Sequence, residues 1–450
     1  MSFSQQQAPR SHLVGSRELA LQVVRDVFGP QPRGAQSSFD YRARATSLDA
    51  RDRAFAAELA YGSIKQRRLL DWYLAPYIGE RAQTLPPTIR EVLRLGIYQL
   101  QFMDRVEEHA AVYETVVLAL RHGHRGTGNL VNAVLRRFTR ERPAEPQREA
   151  FKTEEDYLGA RFSLPTWITA QWRGVFEGRC PEICEGVNRV PRQSVRVNAL
   201  RSDVESVRAL LAERGIESES SSLVAEVLLL ERSAIDDDIG QAWAVQSESS
   251  AMAVDLLDPK PEETIVELCS GRGNKSVQSV ARMRNRGRLE AIEIDEEKIE
   301  HWRRTLERAG ATCASCSAGD ARNLEDRSDA DGVLVDAPCS GVGVIGRHPE
   351  ARWRKRPDDG ARLADIQRDL LASGARRVRM GGRLVYGVCS TDPREGRAVV
   401  DEFLRQTPSF IRGPLPDRYQ PFVQDGDVLV PPGIEGRDGF ALAVLTRTVR

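Results

Sequence analysis

Histidine is scarce in this chain, and cysteine is nearly so. The 6 His form no pair at metal-ligand spacing, so a histidine-held metal centre is not expected. The 7 Cys are an odd and thinly spread set, which favours reduced thiols in a cytoplasmic protein over a disulfide framework. No apolar run approaches the roughly 20 residues needed to cross a bilayer. The segment Met1–Gln7 lacks the basic and apolar stretches of a signal peptide. No membrane partner and no metal are expected, and a monomer is expected. Lysine is also rare, 6 Lys against 59 Arg, so arginine richness is partly a compositional habit. What remains is ordinary: 41% hydrophobic and 29% charged residues over 450 positions, enough for two or three globular domains.

Net charge of either sign is missing overall, but the balance is uneven. Residues 1–150 hold 22 basic against 16 acidic residues, and the remainder 43 against 49. The sharpest excess is Arg121, Arg125, Arg136, Arg137, Arg140 and Arg142 against Glu141. A basic helix pair of this kind can grip a phosphate backbone. A solvated helix face explains the same residues equally well.

Residues 1–15 read as a disordered N-terminus. From 16 to 142 the apolar spacing is helical throughout, with Ser16 as an expected N-cap and Pro86-Pro87 opening a helix. Such stripes imply a compact helical bundle. Residues 143–154, rich in Pro and charge, read as a linker. Residues 155–245 begin helical, with Trp167 and Trp172 packed, and then change period. Strands at 194–198 and 226–230 flank a helix at 203–214, giving a small α/β (RRM-like) unit. From 246 to 450, apolar runs at 264–268, 289–294, 332–335 and 383–387 alternate with helices. That alternation predicts a parallel, doubly wound α/β sheet.

The chemistry-bearing residues gather at the carboxyl ends of those runs, where open α/β sheets bind ligands. After 264–268 comes Cys269-Ser270-Gly271-Arg272-Gly273-Asn274-Lys275, a glycine-bearing turn leading into a helix. Its free N–H groups suit a carboxylate or phosphate. The next strand ends in Glu293, placed for ribose hydroxyls. Asp320 follows the third strand and reads as an adenine contact or a helix cap. Asp336 and Cys339 follow the fourth run, in Asp336-Ala337-Pro338-Cys339-Ser340-Gly341, and Cys389 follows the fifth. A lone cysteine is usually an inert small hydrophobe. Two at neighbouring strand ends, facing a cofactor turn, suggest that one does covalent chemistry and the other assists it.

This set of strings resembles the RNA cytosine-5 methyltransferases that use S-adenosylmethionine (SAM). The DAPCSG string at 336–341, the Cys389-Ser390 string and Gln246-Ser247-Glu248-Ser249-Ser250 carry the likeness. Over roughly 15–447 the chain is similar to the bacterial RsmB/Sun-type branch acting on 16S rRNA. Leu95–Leu100, His109–Val112 and Asn129–Arg136 resemble NusB. The resemblance implies a Rossmann-like methyltransferase domain, an all-α NusB-like RNA-binding domain and the small α/β unit between them. It implies Cys389 as nucleophile at cytosine C6 and Cys339 as helper in adduct breakdown. Asp336 would meet the base edge, oriented by Lys275. SAM would lie on Cys269, Ser270, Gly271, Arg272, Gly273, Asn274 and Lys275, with Glu293, Asp320 and Asp336. The family's usual turn is close to CAAPGGKT. Here Arg272 stands for a proline and Asn274 for a glycine, an exchange suited to a left-handed backbone position.

Other features weigh less. Cys313 and Cys316 form a lone CxxC without a second pair. Arg347, Arg352, Arg354, Lys355 and Arg356 form a basic run that could steer RNA, or a solvated loop. Rival readings are an RNA-binding ribosome-assembly factor with weak SAM binding, a tRNA methyltransferase and a DNA cytosine methyltransferase. The last does not need a cysteine at position 389.

Overall fold

The structure, a computed structural model, describes residues 15–79, 84–231 and 242–448. The expected disorder of the N-terminus falls, except for Gly15, outside the described residues. Two compact units emerge. One comprises residues up to Thr169 together with His348–Trp353, and the other comprises Ala170–Arg347 and Arg354 onward.

The first unit is helical. Its elements are α1 (Ser16–Phe28), α2 (Ala35–Arg44), α3 (Ala50–Lys65), α4 (Arg67–Ile78), α5 (Pro87–Phe102), α6 (Glu108–His122), α7 (Arg125–Glu141) and α8 (Glu154–Arg161). Their apolar stripes meet in one core that includes Leu19, Val23, Leu59, Ile64, Ile89, Leu93, Val131, Leu135 and Phe138. Pro87 occupies the first turn of α5, where its missing N–H costs nothing. Ser16 is not the N-cap: Gly15 holds that position, and the Ser16 hydroxyl donates to Asp52 at 3.0 Å. The six arginines of the 121–142 patch are all exposed.

The segment His348–Trp353 packs in this unit. The Trp353 indole donates to the Ile64 carbonyl at 2.6 Å, and Glu350 accepts the Ala35 N–H at 3.1 Å. Arg352 is fully buried and donates to the carbonyls of Lys65 and Ser163. Arg347, in the other unit, pairs with Asp438 at 2.8 Å. These two arginines of the basic run are therefore structural: Arg352 because a buried guanidinium must be matched by acceptors, and the half-buried Arg347 through its pair with Asp438.

The second unit holds α9 (Thr166–Phe176) from Ala170 onward, α10 (Cys180–Gly186) and two sheets. In the smaller, β1 (Gln193–Val197), β2 (Ser218–Ser220), β3 (Val227–Leu230) and β4 (Trp243–Val245) pair antiparallel in the order β2-β3-β1-β4. Helix α11 (Val204–Glu213) packs on it through Val207 and Leu211. The larger sheet contains β5 (Thr264–Leu268), β6 (Arg288–Glu293), β7 (Ala314–Ala318), β8 (Ala330–Asp336) and β9 (Val378–Val388), all parallel, in the order β9-β8-β5-β6-β7.

The sheet is mixed rather than wholly parallel. Strand β13 (Phe440–Arg447) runs antiparallel beside β9, flanked by β10 (Phe410–Arg412), β11 (Val423–Gln424) and β12 (Asp427–Val430). Helices cover both faces, and the central strands β5, β8 and β9 bury residues on both sides, as parallel strands inside a sheet do, whereas the edge strand β7 is largely exposed. Leu334 and Val385 face the core shared with α12 (Glu248–Leu257), α13 (Asn274–Arg282) and α14 (Glu296–Ala309). Val333, Val335, Leu384 and Tyr386 face the core shared with α15 (Asp359–Ala375) and α16 (Arg397–Gln406). No described helix is long and apolar enough to cross a membrane.

Candidate active site

Strands β8 and β9 pair with Asp336 opposite Gly387, so they end level with each other. Cys339 and Cys389 leave those ends, and their Sγ atoms lie 3.2 Å apart. The backbone fixes both loops: Ala337 N–H donates to the Gly387 carbonyl at 3.0 Å, and Gly343 N–H to the Cys389 carbonyl at 3.2 Å. A Cβ on Gly343 would collide with the carbonyl oxygen of Gly439, so only glycine allows the Asp438-Gly439-Phe440 string to approach here. The Cys339 thiol is held well above its usual range. Its hydrogen bond to Cys389 is the largest cause, followed by burial and by the charges of Cys389 and Glu395. The raised thiol keeps its proton near neutral pH, so Cys339 can serve as a hydrogen-bond donor at this contact.

Lys275, in the first turn of α13, places Nζ 2.6 Å from Asp336 Oδ2, with its side chain 11% exposed. Burial alone would lower this ammonium's pKa. Attraction to Asp336, their hydrogen bond and the charges of Glu267 and Cys389 outweigh burial, and the pKa ends raised. Beneath lies Glu267, buried in β5 and accepting the Ser276 hydroxyl at 2.5 Å. The Trp302 indole in turn donates to Ser276 at 2.8 Å. Burial pushes Glu267 up to about 7, offset in part by Ser276 and Lys275.

The glycine turn has three left-handed residues: Cys269 (φ 59°), Gly271 (φ 57°) and Gly273 (φ 90°). Asn274 is not among them; it is the first residue of α13, so its replacement of a glycine needs no left-handed tolerance. Arg272 is exposed and Ser270 is buried. A Cβ on Gly273 would lie 2.9 Å from both Leu306 Cδ1 and Trp302 Cδ1. A Cβ on Gly271 would meet nothing within 4 Å, so open space lies before that backbone. Glu293, 4% exposed at the end of β6, accepts N–H groups from Gly271 at 2.8 Å, Ile294 at 3.0 Å and Asp295 at 3.1 Å. The turn and the second strand end are thus joined. Burial, reinforced by Glu293 and Asp336, pushes the Cys269 thiol up to about 12, which leaves it unreactive near neutral pH.

Asp320 caps a short turn, accepting Arg322 N–H at 3.0 Å and pairing with its guanidinium at 2.6 Å. Arg322 holds that carboxyl below the usual range through their hydrogen bond. Ser247 caps α12, and Glu248 beside it pairs with Arg437 at 2.6 Å. Trp172 is buried and donates to Thr391 at 3.0 Å. Cys316 lies 3.8 Å from the Ser270 hydroxyl, and among the described residues no three ligand-type side chains cluster as a metal site.

One residue that the motifs did not single out is Glu395. It is fully buried and linked to Ser340 and Ser390, the residues that follow the two thiols. The available sequence signal is that a serine follows the cysteine beyond each of two neighbouring strands, β8 and β9, which brings two hydroxyls together.

Comparison with known proteins gives a consistent result. Residues 254–446 match the family described as 16S rRNA methyltransferase RsmB/F, residues 15–140 the NusB family, and residues 164–235 the RsmF/B-like ferredoxin-like domain. The chain is 32% identical over 417 residues to the probable ribosomal RNA small subunit methyltransferase B of Bacillus subtilis, covering 90% of this chain and 92% of that one. It is 32% identical to the corresponding Thermus thermophilus protein, with 96% and 97% covered. The solved structure of PH0851 superposes with a TM-score of 0.80 at 27% identity, covering 97% of this chain and 99% of that chain. A methyltransferase homolog from Pyrococcus horikoshii, 23% identical with a TM-score of 0.57, shares the fold over 66% of this chain and 100% of its own.

Proposed function

The chain belongs to the 16S rRNA methyltransferase RsmB/F family, and we propose that it transfers a methyl group from SAM to C5 of a cytosine in small-subunit rRNA. Cytosine C5 is too electron-poor to attack a methyl group unaided. The Cys389 thiolate adds to C6, and the ring becomes an enamine nucleophilic at C5. Bound SAM supplies the electrophilic methyl group for that carbon. The C5 proton then leaves to solvent, the C6–Sγ bond breaks, and Cys389 departs as a thiolate. Cys339 donates a hydrogen bond to that leaving sulfur, which lowers the barrier to release. Asp336, with one oxygen held by Lys275, presents the other to the N3/N4 edge of the base; N3 takes a proton from solvent as Sγ adds and returns it as the C6–Sγ bond breaks, so the C5 proton is the net proton released.

The observation that carries this reading is the 3.2 Å approach of the two sulfurs beside the Lys275–Asp336 pair. A single thiol would suffice for storage or packing; a donor–acceptor pair at a sheet's ligand edge suits reversible covalent chemistry. SAM use is supported by the open space before Gly271 and by carboxylates at the ends of β6 and β8. Cys269, Ser270, Gly271, Arg272, Gly273, Asn274 and Lys275 would line it, with Glu293, Asp320 and Asp336. The exposed arginines of α7 suit an RNA backbone. The test is transfer of labelled methyl from SAM to small-subunit rRNA, with the product nucleoside identified by mass spectrometry. Binding of RNA without transfer or SAM affinity would favour an assembly factor instead.

A further inference from the structure

We infer that Glu395 is a positioning residue for the reaction: its carboxylate sets the spacing of the two thiols by tying together the loops that carry them. The inference rests on the covalent reading of Cys389 and adds to it a residue that touches neither substrate nor sulfur.

Glu395 Oε1 accepts the Ser340 N–H at 2.7 Å and the Gln367 amide at 3.1 Å. Oε2 accepts the Ser390 hydroxyl at 2.5 Å and also the Ser340 hydroxyl. Each thiol loop is therefore gripped one residue beyond its sulfur. The two hydroxyls themselves lie 3.0 Å apart. Gln367, from α15, also donates to the Pro338 carbonyl at 2.9 Å, holding the Cys339 loop from its other side. Glu395 is fixed in turn through its own carbonyl, which accepts the Tyr386 hydroxyl at 2.5 Å.

The arrangement is costly for a mere packing element. A fully buried carboxylate loses several kcal/mol of hydration, recovered only when its lone pairs are filled by donors. Apolar side chains would hold two loops together at less cost. What a carboxylate adds is directional, charge-assisted bonding with little play. Loops beyond strand ends are otherwise the mobile parts of a sheet, whereas reacting groups must be held within about 0.5 Å.

The test compares full-length wild type, E395A, E395Q and the S340A/S390A pair. Turnover is measured with rRNA and SAM, and the rate of Cys339–Cys389 disulfide formation with the thiol oxidant diamide. Displacing a reacting group by 1 Å costs about 100-fold, so E395A should lose roughly 30- to 100-fold in kcat with KM values within about twofold. Disulfide formation should slow by at least about tenfold in E395A, in step with the lost proximity. E395Q should recover most of both losses, because its amide can donate to the two serine oxygens while its carbonyl accepts the Ser340 N–H. If E395A does not fold, S340A/S390A decides by the same two readouts. Wild-type kcat and wild-type disulfide rate in the folded variant would overturn the inference. Absence of methyl transfer in wild type would instead refute the function proposed above, and the disulfide rates would still judge Glu395.

Discussion

Lys275 Nζ lies 2.6 Å from Asp336 Oδ2, joining the first turn of α13 to the end of β8. The pair couples the glycine turn to the thiol edge, since one residue belongs to each. Lys275→Met leaves Asp336 and Glu267 without their cation. Breaking a buried pair from one side costs about 3–5 kcal/mol, and the partial exposure of Asp336 puts the loss near the lower figure. A lower urea midpoint and a kcat reduced by roughly 100-fold are expected, since Asp336 loses its fixed direction.

Glu267 makes stability depend on pH. Its folded-state value is about 7 against 4.5 unfolded, so the folded state binds the extra proton between those limits. The stability this contributes is complete below about pH 4.5 and is lost as pH rises through about 7. The full change amounts to roughly 3 kcal/mol. Urea midpoints measured from pH 4.5 to 8 should fall for wild type and fall less steeply for Glu267→Gln. Parallel curves would refute the assignment.

The glycine turn gives two contrasting variants. Gly273→Ala forces a side chain into a left-handed position and against Leu306 and Trp302. A cost of about 1–3 kcal/mol is expected at such a site, seen as a lower urea midpoint. Arg272 is exposed, so Arg272→Ala should leave SAM affinity within about threefold.

Sequence and structure agree where local pattern decides. The run 264–268 is β5 to the residue, because Thr264-Ile265-Val266 and Leu268 are β-branched or apolar between a charged start and a glycine turn, with Glu267 the one buried acid among them. Strand β9 begins at Val378, five residues earlier than its apolar run suggests, because Met380-Gly381-Gly382 hides it; Gly381 sits at φ 72°. The antiparallel strands beyond β9 were not legible, since their partners are chosen across the sheet rather than by periodicity. The fate of Arg347 and Arg352 was equally hidden: a run of arginines looks solvated until acceptors such as Asp438 appear from distant sequence. Glu395, in Asp392-Pro393-Arg394-Glu395, carries no local mark of burial, since its donors Ser340 and Gln367 come from distant sequence.

Those structural arginines carry a prediction of their own. Arg352→Ala empties a buried site and leaves the carbonyls of Lys65 and Ser163 without this donor. A stability loss of roughly 2–3 kcal/mol is expected in urea titrations. The salt dependence of RNA affinity should be unchanged, whereas Arg136→Ala and Arg140→Ala, on the exposed face of α7, should each reduce its slope by about one.

The central claim is that Cys389 bonds to the base and Cys339 helps it leave. It is tested most directly by incubating wild type, Cys389→Ala and Cys339→Ala with SAM and small-subunit rRNA and resolving protein–RNA adducts on denaturing gels. No adduct and no methylation are expected for Cys389→Ala, and an accumulating adduct for Cys339→Ala. An adduct that persists in Cys389→Ala and vanishes in Cys339→Ala would contradict it.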